Sequence, residues 1–333
     1  MNRRTFLATS FGALLTVKQN AGTFIMTVNG PIPARRLGTT LIHEHFLVDF
    51  IGADKIHSGR WNKEAVVKKV APYLNEVKRK GVKTIFDCTP AFLGRDAVLL
   101  QQLARHSGLQ LVTNTGYYGA VENKYLPPWA FTETAEQLAA RWIGECENGI
   151  DGTPVRPGFI KISVDAATPL SNLHQKLATA AALTHLETGL TICSHTGPAD
   201  AAFQQIELLK KAGVHPGAFV WVHAQVEKNT STYIQAAKQG AWVSLDGMGW
   251  GDYDRYAASL VALKKAGLLH RVLISHDAGW YKPDAPEDAF TGYTAIFTEL
   301  LPRLKQSGFT TKDINGLLVK NPAAAMGIRV RNG

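Results

Sequence analysis

Histidine, lysine and aspartate recur in this chain at the ends of short apolar runs. The first run reads Thr40-Leu41-Ile42-His43-Glu44-His45. Later ones read Phe159-Ile160-Lys161, Thr191-Ile192-Cys193-Ser194-His195, Phe219-Val220-Trp221-Val222-His223 and Val272-Leu273-Ile274-Ser275-His276-Asp277. Runs of this length, rich in β-branched residues, predict strands. His43 and His45 are two positions apart, so in a strand they face the same side and Glu44 faces the other. By the same alternation His276 faces away from Asp277, into the packing behind it. Neutral imidazole and carboxylate bind divalent transition metals well, zinc first among them. His43, His45, His195, His223 and Asp277 exceed the needs of one tetrahedral catalytic ion. Two ions would use them, roughly 3.5–4 Å apart, as in binuclear hydrolytic sites. Cations so close require an anionic bridge, and hydroxide can be one. Lys161 is an awkward second, because a free lysine is protonated at neutral pH and an ammonium beside two cations is strongly disfavoured. Reaction with carbon dioxide resolves the conflict. The resulting carbamate is anionic and offers one oxygen to each ion. The chemistry expected is metal-assisted hydrolysis of a small-molecule substrate.

Such ligands must be carried to one place by their elements. From Gly38 onward short apolar runs alternate with helical patterns. Helices are predicted over about Trp61–Lys80, Arg95–His106, Thr132–Glu147, Ser171–Glu187, the stretch after His195 to Lys211, and the stretch after His223 to Gln239. Two more follow, over about Asp252–Lys265 and Glu287–Gln306. The strands without ligands are Lys83–Cys88, Gln110–Gly116 and Trp242–Asp246. Alternating strands and helices imply a parallel sheet with right-handed crossovers. Eight such units predict an α/β fold, a (β/α)8 TIM barrel, whose chemistry sits at the carboxyl ends of the strands, where every ligand above falls. An open doubly wound sheet is disfavoured, since no glycine-rich phosphate fingerprint follows the first strand. Asp87 and Asp246, near strand ends, have two readings: partners that orient metal ligands, or caps for the following helices. His57, His106, His174, His185, His215 and His270 fall in loops and helices and read as surface or packing residues.

The 333 residues, 45% hydrophobic and 19% charged, suit a soluble enzyme with a sizeable core. The net charge of +9 is dispersed, with no basic stripe interleaved with aromatics, so nucleic-acid binding is excluded. Cys88, Cys146 and Cys193 have no CxxC spacing and read as small buried hydrophobes. Met1-Asn2-Arg3-Arg4-Thr5-Phe6-Leu7 precedes an uncharged stretch to Val17 that is too short to span a membrane. This pattern resembles a twin-arginine export signal. Residues 1–21 are therefore expected to meet the twin-arginine machinery, and residues 22–333 to form one metal-dependent hydrolase domain in the periplasm or outside the cell. A basic tail on a cytoplasmic protein is the alternative.

Taken as a set, the His-x-His of the first strand, the strand-four lysine, the histidines of strands five and six and the strand-eight aspartate resemble the phosphotriesterase branch of the amidohydrolase superfamily. Thr115-Gly116-Tyr117-Tyr118, Ser194-His195-Thr196-Gly197 and Asn321-Pro322-Ala323 add local likeness, and the resemblance covers nearly the whole chain after Gly38. It implies that His43, His45 and Asp277 bind a buried ion and His195 and His223 a more exposed one, with carboxylated Lys161 bridging them. A bridging hydroxide would attack the substrate and Asp277 would take its proton. Tyr118 matches the tyrosine that several lactonases place over the metal pair; Tyr117, Trp250, Trp280 and Tyr281 are candidate pocket residues. Similar barrels often pair, which implies a homodimer. Two departures bear on the substrate. Acidic residues that phosphotriesterases carry beyond the strand-six histidine are replaced by Ala224-Gln225-Val226. The arginine that acyl-homoserine lactonases carry after Leu-Asp of strand seven is absent, since Gly247 follows Leu245-Asp246. A lactone or related carboxylic ester is the leading substrate class. An organophosphate triester comes next, then a cyclic amide or small peptide. A non-catalytic periplasmic binding barrel is the reading from another class.

Overall fold

Each apolar run becomes a strand. The structure, a computed structural model, describes residues 23–284 and 290–333. The export segment lies outside the described residues, as does the start of the helix expected from Glu287. A hairpin, β1 (Phe24–Thr27) with β2 (Gly30–Pro33), precedes the barrel. The barrel strands are β3 (Thr39–Leu47), β4 (Val82–Asp87), β5 (Gln110–Val112), β6 (Asn114–Thr115), β7 (Phe159–Ser163), β8 (Ile192–His195), β9 (Phe219–Val222), β10 (Trp242–Leu245), β11 (Val272–Ile274) and β12 (Gly279–Tyr281).

All of these pair in parallel, in two runs: β11-β10-β9-β8-β7-β6 and β12-β3-β4-β5. The third expected strand is parted only at Thr113, so β5 and β6 join the two runs. At the other junction the chain continues from β11 through Ser275–Ala278 into β12. There the Asp277 N–H donates to His43 O (3.0 Å) and the His45 N–H to Ala278 O (2.8 Å), tying the eighth strand to the first. The architecture is the expected (β/α)8 barrel.

The connecting helices are α1 (Lys63–Arg79), α2 (Ala97–Ser107), α3 (Trp129–Thr132), α4 (Ala135–Asn148), α5 (Asn172–Thr188), α6 (Ala199–Lys211), α7 (Thr230–Lys238) and α8 (Tyr253–Lys265). Their ends follow cap chemistry. Asn62, Asp96 and Ser171 accept N-terminal backbone N–H groups, and Gly108 and Gly189 close α2 and α5 in the left-handed region. The helix expected from Thr132 begins instead at Ala135. Thr134 forms a capping box with Gln137, leaving α3 as a separate turn. After α8, the chain ends in a π segment (Ile296–Leu300), α9 (Leu301–Gln306), α10 (Thr311–Asn315), a second π segment (Gly316–Lys320) and α11 (Asn321–Met326). No helix among the described residues is long and apolar enough to cross a membrane.

Strand alternation divides two apolar clusters. Leu41, Ile85, Ile160, Trp221 and Val243 face the helices. Ile42, Phe86, Phe159, Val220, Trp242 and Leu273 fill the barrel interior. Ile25 of the hairpin and Ala325 and Met326 of α11 join the interior cluster and stop its lower end. The hairpin escapes a sequence reading because Pro31 and Pro33 argue against a strand, yet here they sit in a two-stranded ribbon.

Candidate metal centre

Above this apolar floor lie the strand ends. Alternation alone would put Ile42 and His43 on opposite faces of β3, but both point inward. The reason is a bulge: between Leu41 and Glu44, three steps of β3 oppose two of β4, from Ile85 to Asp87. Bulges re-aim side chains in this way. His43, His45 and Asp277 then converge with His223 and His195. His45 Nε2 is 3.1 Å and His43 Nε2 3.5 Å from Asp277 Oδ1. The His43 ring lies 5.0 Å from that of His223, which lies 4.4 Å from that of His195. Potential ligand atoms of His43, His223 and Asp277 fall within 4.8 Å of one another. The resemblance puts His223 with His195 on the second ion, and His223 stands between the two groups, in ring contact with both His43 and His195.

Lys161, on β7, is 1% exposed and makes no hydrogen bond or ion pair among the described residues. Its charge is close enough to depress the protonation of both His43 and His195. Gly116 lets β6 approach it: a Cβ there would collide with the Lys161 carbonyl, and its φ is +112°.

The donor set fits metal ions. Both ring nitrogens of His43 and Oδ1 of Asp277 are buried without a hydrogen-bond partner, which is costly unless something else satisfies them. His45 uses Nδ1 on Thr89 Oγ1 (2.7 Å), and His223 uses Nδ1 on Asp246 Oδ1 (2.7 Å), so each turns Nε2 toward the centre. Backbone strain collects here as well. Asp277 (φ 51°), His223 (φ 60°) and Trp280 (φ 69°) are all left-handed. Such residues cost about 1–3 kcal/mol each and persist where the surrounding structure holds them.

The supporting residues resolve what the sequence leaves open. Asp246 is fully buried and accepts from the His223 N–H (3.1 Å) and from Gln225 Nε2 (3.1 Å), and lies 3.4 Å from His43 Nδ1. It orients ligands and caps no helix. Asp87 Oδ1 accepts from Thr89 Oγ1 (3.3 Å), the residue that holds His45. Glu44 and His276 form a wholly buried pair (2.7 Å). The Ile296 N–H donates to His276 Nε2 (3.0 Å), so the Nδ1 proton points at Glu44. Glu44 also accepts from Ser275 Oγ (2.8 Å) and the Ala278 N–H (3.1 Å), locking the His-x-His strand to the strand of Asp277. These partners of metal ligands typically carry 10–100-fold in metal affinity or activity. Asp246→Asn is expected to weaken metal binding by about that factor, read as a metal titration. Unchanged affinity would show that Asp246 is only a space filler.

At the rim, Tyr118 Oη is 3.2 Å from both nitrogens of His195. Burial, and then the charge of Asp277, raise its pKa and keep the phenol protonated. Trp280 packs on His45 (5.2 Å) and the exposed Trp250 stacks over His223 (6.3 Å). Tyr117 and Tyr281 do not join them. Tyr117 packs against Phe92 and Trp142 and accepts from Trp129 Nε1, and Tyr281 packs into the layer between strands and helices. Each neighbours a rim residue, and alternation sends it the other way. Thr89, Phe50 and Tyr125 are site residues that the sequence reading misses, because none lies at the end of an apolar run.

Electrostatics give a pH signature. Burial, then the Lys161 charge, lower His43 from 6.5 to about 3. Burial, then His223 and Lys161, lower His195. Burial opposes ionisation of Asp246 and Asp277, yet the histidines outweigh it and hold both low. Between pH 6.5 and about 3 the folded metal-free protein thus binds fewer protons at His43 than the unfolded chain does. The stability tied to His43 is complete above pH 6.5 and is lost as pH falls through that window. Asp87, raised to about 8 by burial, acts in the opposite sense above about pH 4. The measurement is therefore a difference: chelated His43→Gln is expected to lose less Tm on acidification than the chelated parent. Parallel curves would remove His43 from the balance.

Comparison with known proteins meets this geometry. The phosphotriesterase family model matches residues 23–326. This chain belongs to the phosphotriesterase family. That family lies in the amidohydrolase superfamily and is binuclear and metal-dependent. A phosphotriesterase homology protein of Escherichia coli (strain K12) is 30% identical over 289 residues, 86% of this chain and 97% of that protein. An aryldialkylphosphatase of Saccharolobus solfataricus is 29% identical over 309 residues, 87% and 95% of the two chains. An N-acetyltaurine hydrolase of Dictyostelium discoideum is 26% identical over 299 residues, 85% and 78%. Two of these relatives, the aryldialkylphosphatase and the N-acetyltaurine hydrolase, are named for hydrolysis of different bonds.

Proposed function

We propose that this phosphotriesterase-family protein is a binuclear metal-dependent hydrolase of lactones or related carboxylic esters. The observation that carries the reading is the buried cluster of His43, His45, His223 and Asp277 around unsatisfied ligand atoms, with an unpaired Lys161 beside it. Bound divalent ions, zinc by donor chemistry, would polarise the scissile carbonyl and make water a nucleophile near neutral pH. Addition of the neutral Lys161 amine to carbon dioxide would form an N–C bond, release one proton and leave a carbamate. A buried amine without a partner among the described residues would thereby become a ligand. His195 and His223 would hold the exposed side of the pair and His43, His45 and Asp277 the buried side.

The remaining residues argue for an ester. Asp277 is ionised at neutral pH, so it can take a proton from the attacking water and pass it to the leaving oxygen. Tyr118 Oη, 3.2 Å from His195 Nε2, would donate a hydrogen bond to the developing negative charge. Beyond His223, Ala224 and Val226 carry no proton, and Gln225 is spent on Asp246. One proton carrier suits an alkoxide or phenolate leaving group better than an amine, which must be protonated to depart.

The test is a panel of lactones, carboxylic esters, organophosphate triesters and N-acyl amides with the metal-loaded protein. Highest kcat/KM on a lactone or ester, abolished by chelation, is the expected result. The relatives' names supply the other arms. A triester or N-acetylated amide turned over faster would transfer the assignment to that bond. Tight metal binding with no turnover would leave a non-catalytic barrel. Export of the loaded enzyme is part of the same proposal, supported by Arg3-Arg4-Thr5-Phe6-Leu7.

A further inference from the structure

Between His45 and His195 the mouth of the centre is walled by rings. Trp280 packs on His45, Phe50 on Trp280 (5.5 Å), Tyr125 on Phe50 (6.0 Å), Tyr118 on Tyr125 (5.8 Å) and Tyr118 on His195 (5.1 Å). The contacts run unbroken from one candidate ligand to another. Two ammonium groups stand on this arc. Lys282 Nζ is 5.6 Å from the ring centroids of both Phe50 and Trp280. Lys124 Nζ is 5.4 Å from that of Tyr125 and donates to Phe50 O (2.7 Å). Both lysines are exposed, and neither has an ion-pair partner among the described residues. Among the described residues, two acids on this side are paired with Arg60, Asp49 (2.5 Å) and Asp284 (2.7 Å), while exposed Asp54 lies beside the Lys124 stem and Asp165 near Tyr118. On the opposite side, beyond Trp250, Arg255 is neutralised by Asp252 (2.7 Å). Among the described residues, Lys282 is therefore a cation without an ion-pair partner at this lip, whereas Arg255 opposite is paired. A ring face holds an ammonium in place while leaving its N–H groups free for an anion.

Resting on the hydrolase reading above, we propose that this lip selects substrates bearing an anionic oxyacid group, a carboxylate or sulfonate. Lys282 is its principal contact and Lys124 its second. Lys282 is two ring contacts removed from His45, so the charge belongs several bonds from the scissile carbonyl. The chain between the two lies along Trp280 and Phe50, where an apolar spacer is desolvated. A charge near the scissile bond would meet the metal instead.

Two esters that differ only in remote charge test this. They are the para-nitrophenyl ester of adipic acid, with a free distal carboxylate, and its neutral distal methyl ester. With the metal-loaded full chain at low salt, kcat/KM is expected to favour the anionic ester. The anionic-to-neutral ratio is expected to fall about fivefold in Lys282→Met, the range of one exposed ion pair. It should fall further in Lys282→Glu and shrink with added salt. The change belongs in KM, since remote contacts bind ground and transition states alike. A ratio unmoved in both variants would overturn the proposal. Absence of turnover on both esters would overturn the open-chain ester reading, and calorimetric binding of adipate against hexanoate then judges the lip alone. Selective loss of adipate binding in Lys282→Glu supports it, and equal binding sinks it.

Discussion

Asp277→Asn is expected to yield a folded protein whose kcat is lower by about 10²–10⁴, the usual weight of a general base. The fold should survive for a local reason. Asp277 sits at φ 51°, a conformation that asparagine adopts at least as readily as aspartate. Its backbone bonds, N–H to His43 O and O from Trp280 Nε1 (2.9 Å), do not involve the side chain. Alanine would confound the result by adding backbone strain. What asparagine removes is the negative charge that lies 3.1 Å from His45 Nε2 and 3.5 Å from His43 Nε2. On the proposed reading it removes the proton acceptor and weakens a metal ligand together. The decisive experiment therefore measures kcat at saturating metal, with ions per chain counted on the same sample and a thermal melt beside it. A normal rate at full occupancy would take Asp277 out of the proton path.

That experiment can be designed from the sequence, because the candidate ligands obey the simplest rule available: a polar residue at the end of an apolar run is lifted to the rim of a barrel. The rule gives the strands and the set that converges, His43, His45, Lys161, His195, His223 and Asp277. It fails where the determining contact lies between strands or where period-two alternation is broken. Asp246 meets His223 across adjacent strands. Glu44 and His276 meet only because the barrel closes. The bulge that turns His43 inward leaves Ile42 beside it on the same face, which no alternation pattern predicts. Tyr117 and Tyr281 read as pocket residues only by their numbering next to Tyr118 and Trp280, and alternation turns both away from the rim. The aromatic arc was illegible, because Phe50 and Tyr125 come from loops whose path is fixed by tertiary packing. Gly279 shows the same limit. Its φ is +103°, and a Cβ there would strike the His45 carbonyl, so the glycine matters for a contact far away in sequence.

Lys161→Met separates the two roles a buried lysine can have. If Lys161 supported the fold through its charge, it would need a partner, and among the described residues none bonds to it. On the barrel-floor side its neighbours are apolar, with Phe159 on the same face of its own strand and Cys193 paired to it on the next, while His43 and His195 stand close enough on the other side to feel its charge. Methionine is unbranched, of similar length and without charge to desolvate. The metal-free Lys161→Met protein is therefore expected to melt at or above the parent temperature, since a polar group buried without a partner is a net cost. The metal-loaded comparison should reverse the order. Without the bridge the centre should hold about one ion fewer and lose more than the ~10–100-fold that removal of a supporting partner costs. Carbon dioxide gives a readout independent of turnover. Metal uptake by the parent should be slow in carbon dioxide-free buffer and quickened by bicarbonate, whereas Lys161→Met should be indifferent. A variant that keeps both ions, or a parent whose loading ignores bicarbonate, would return Lys161 to the role of a core residue and leave the bridge to another group.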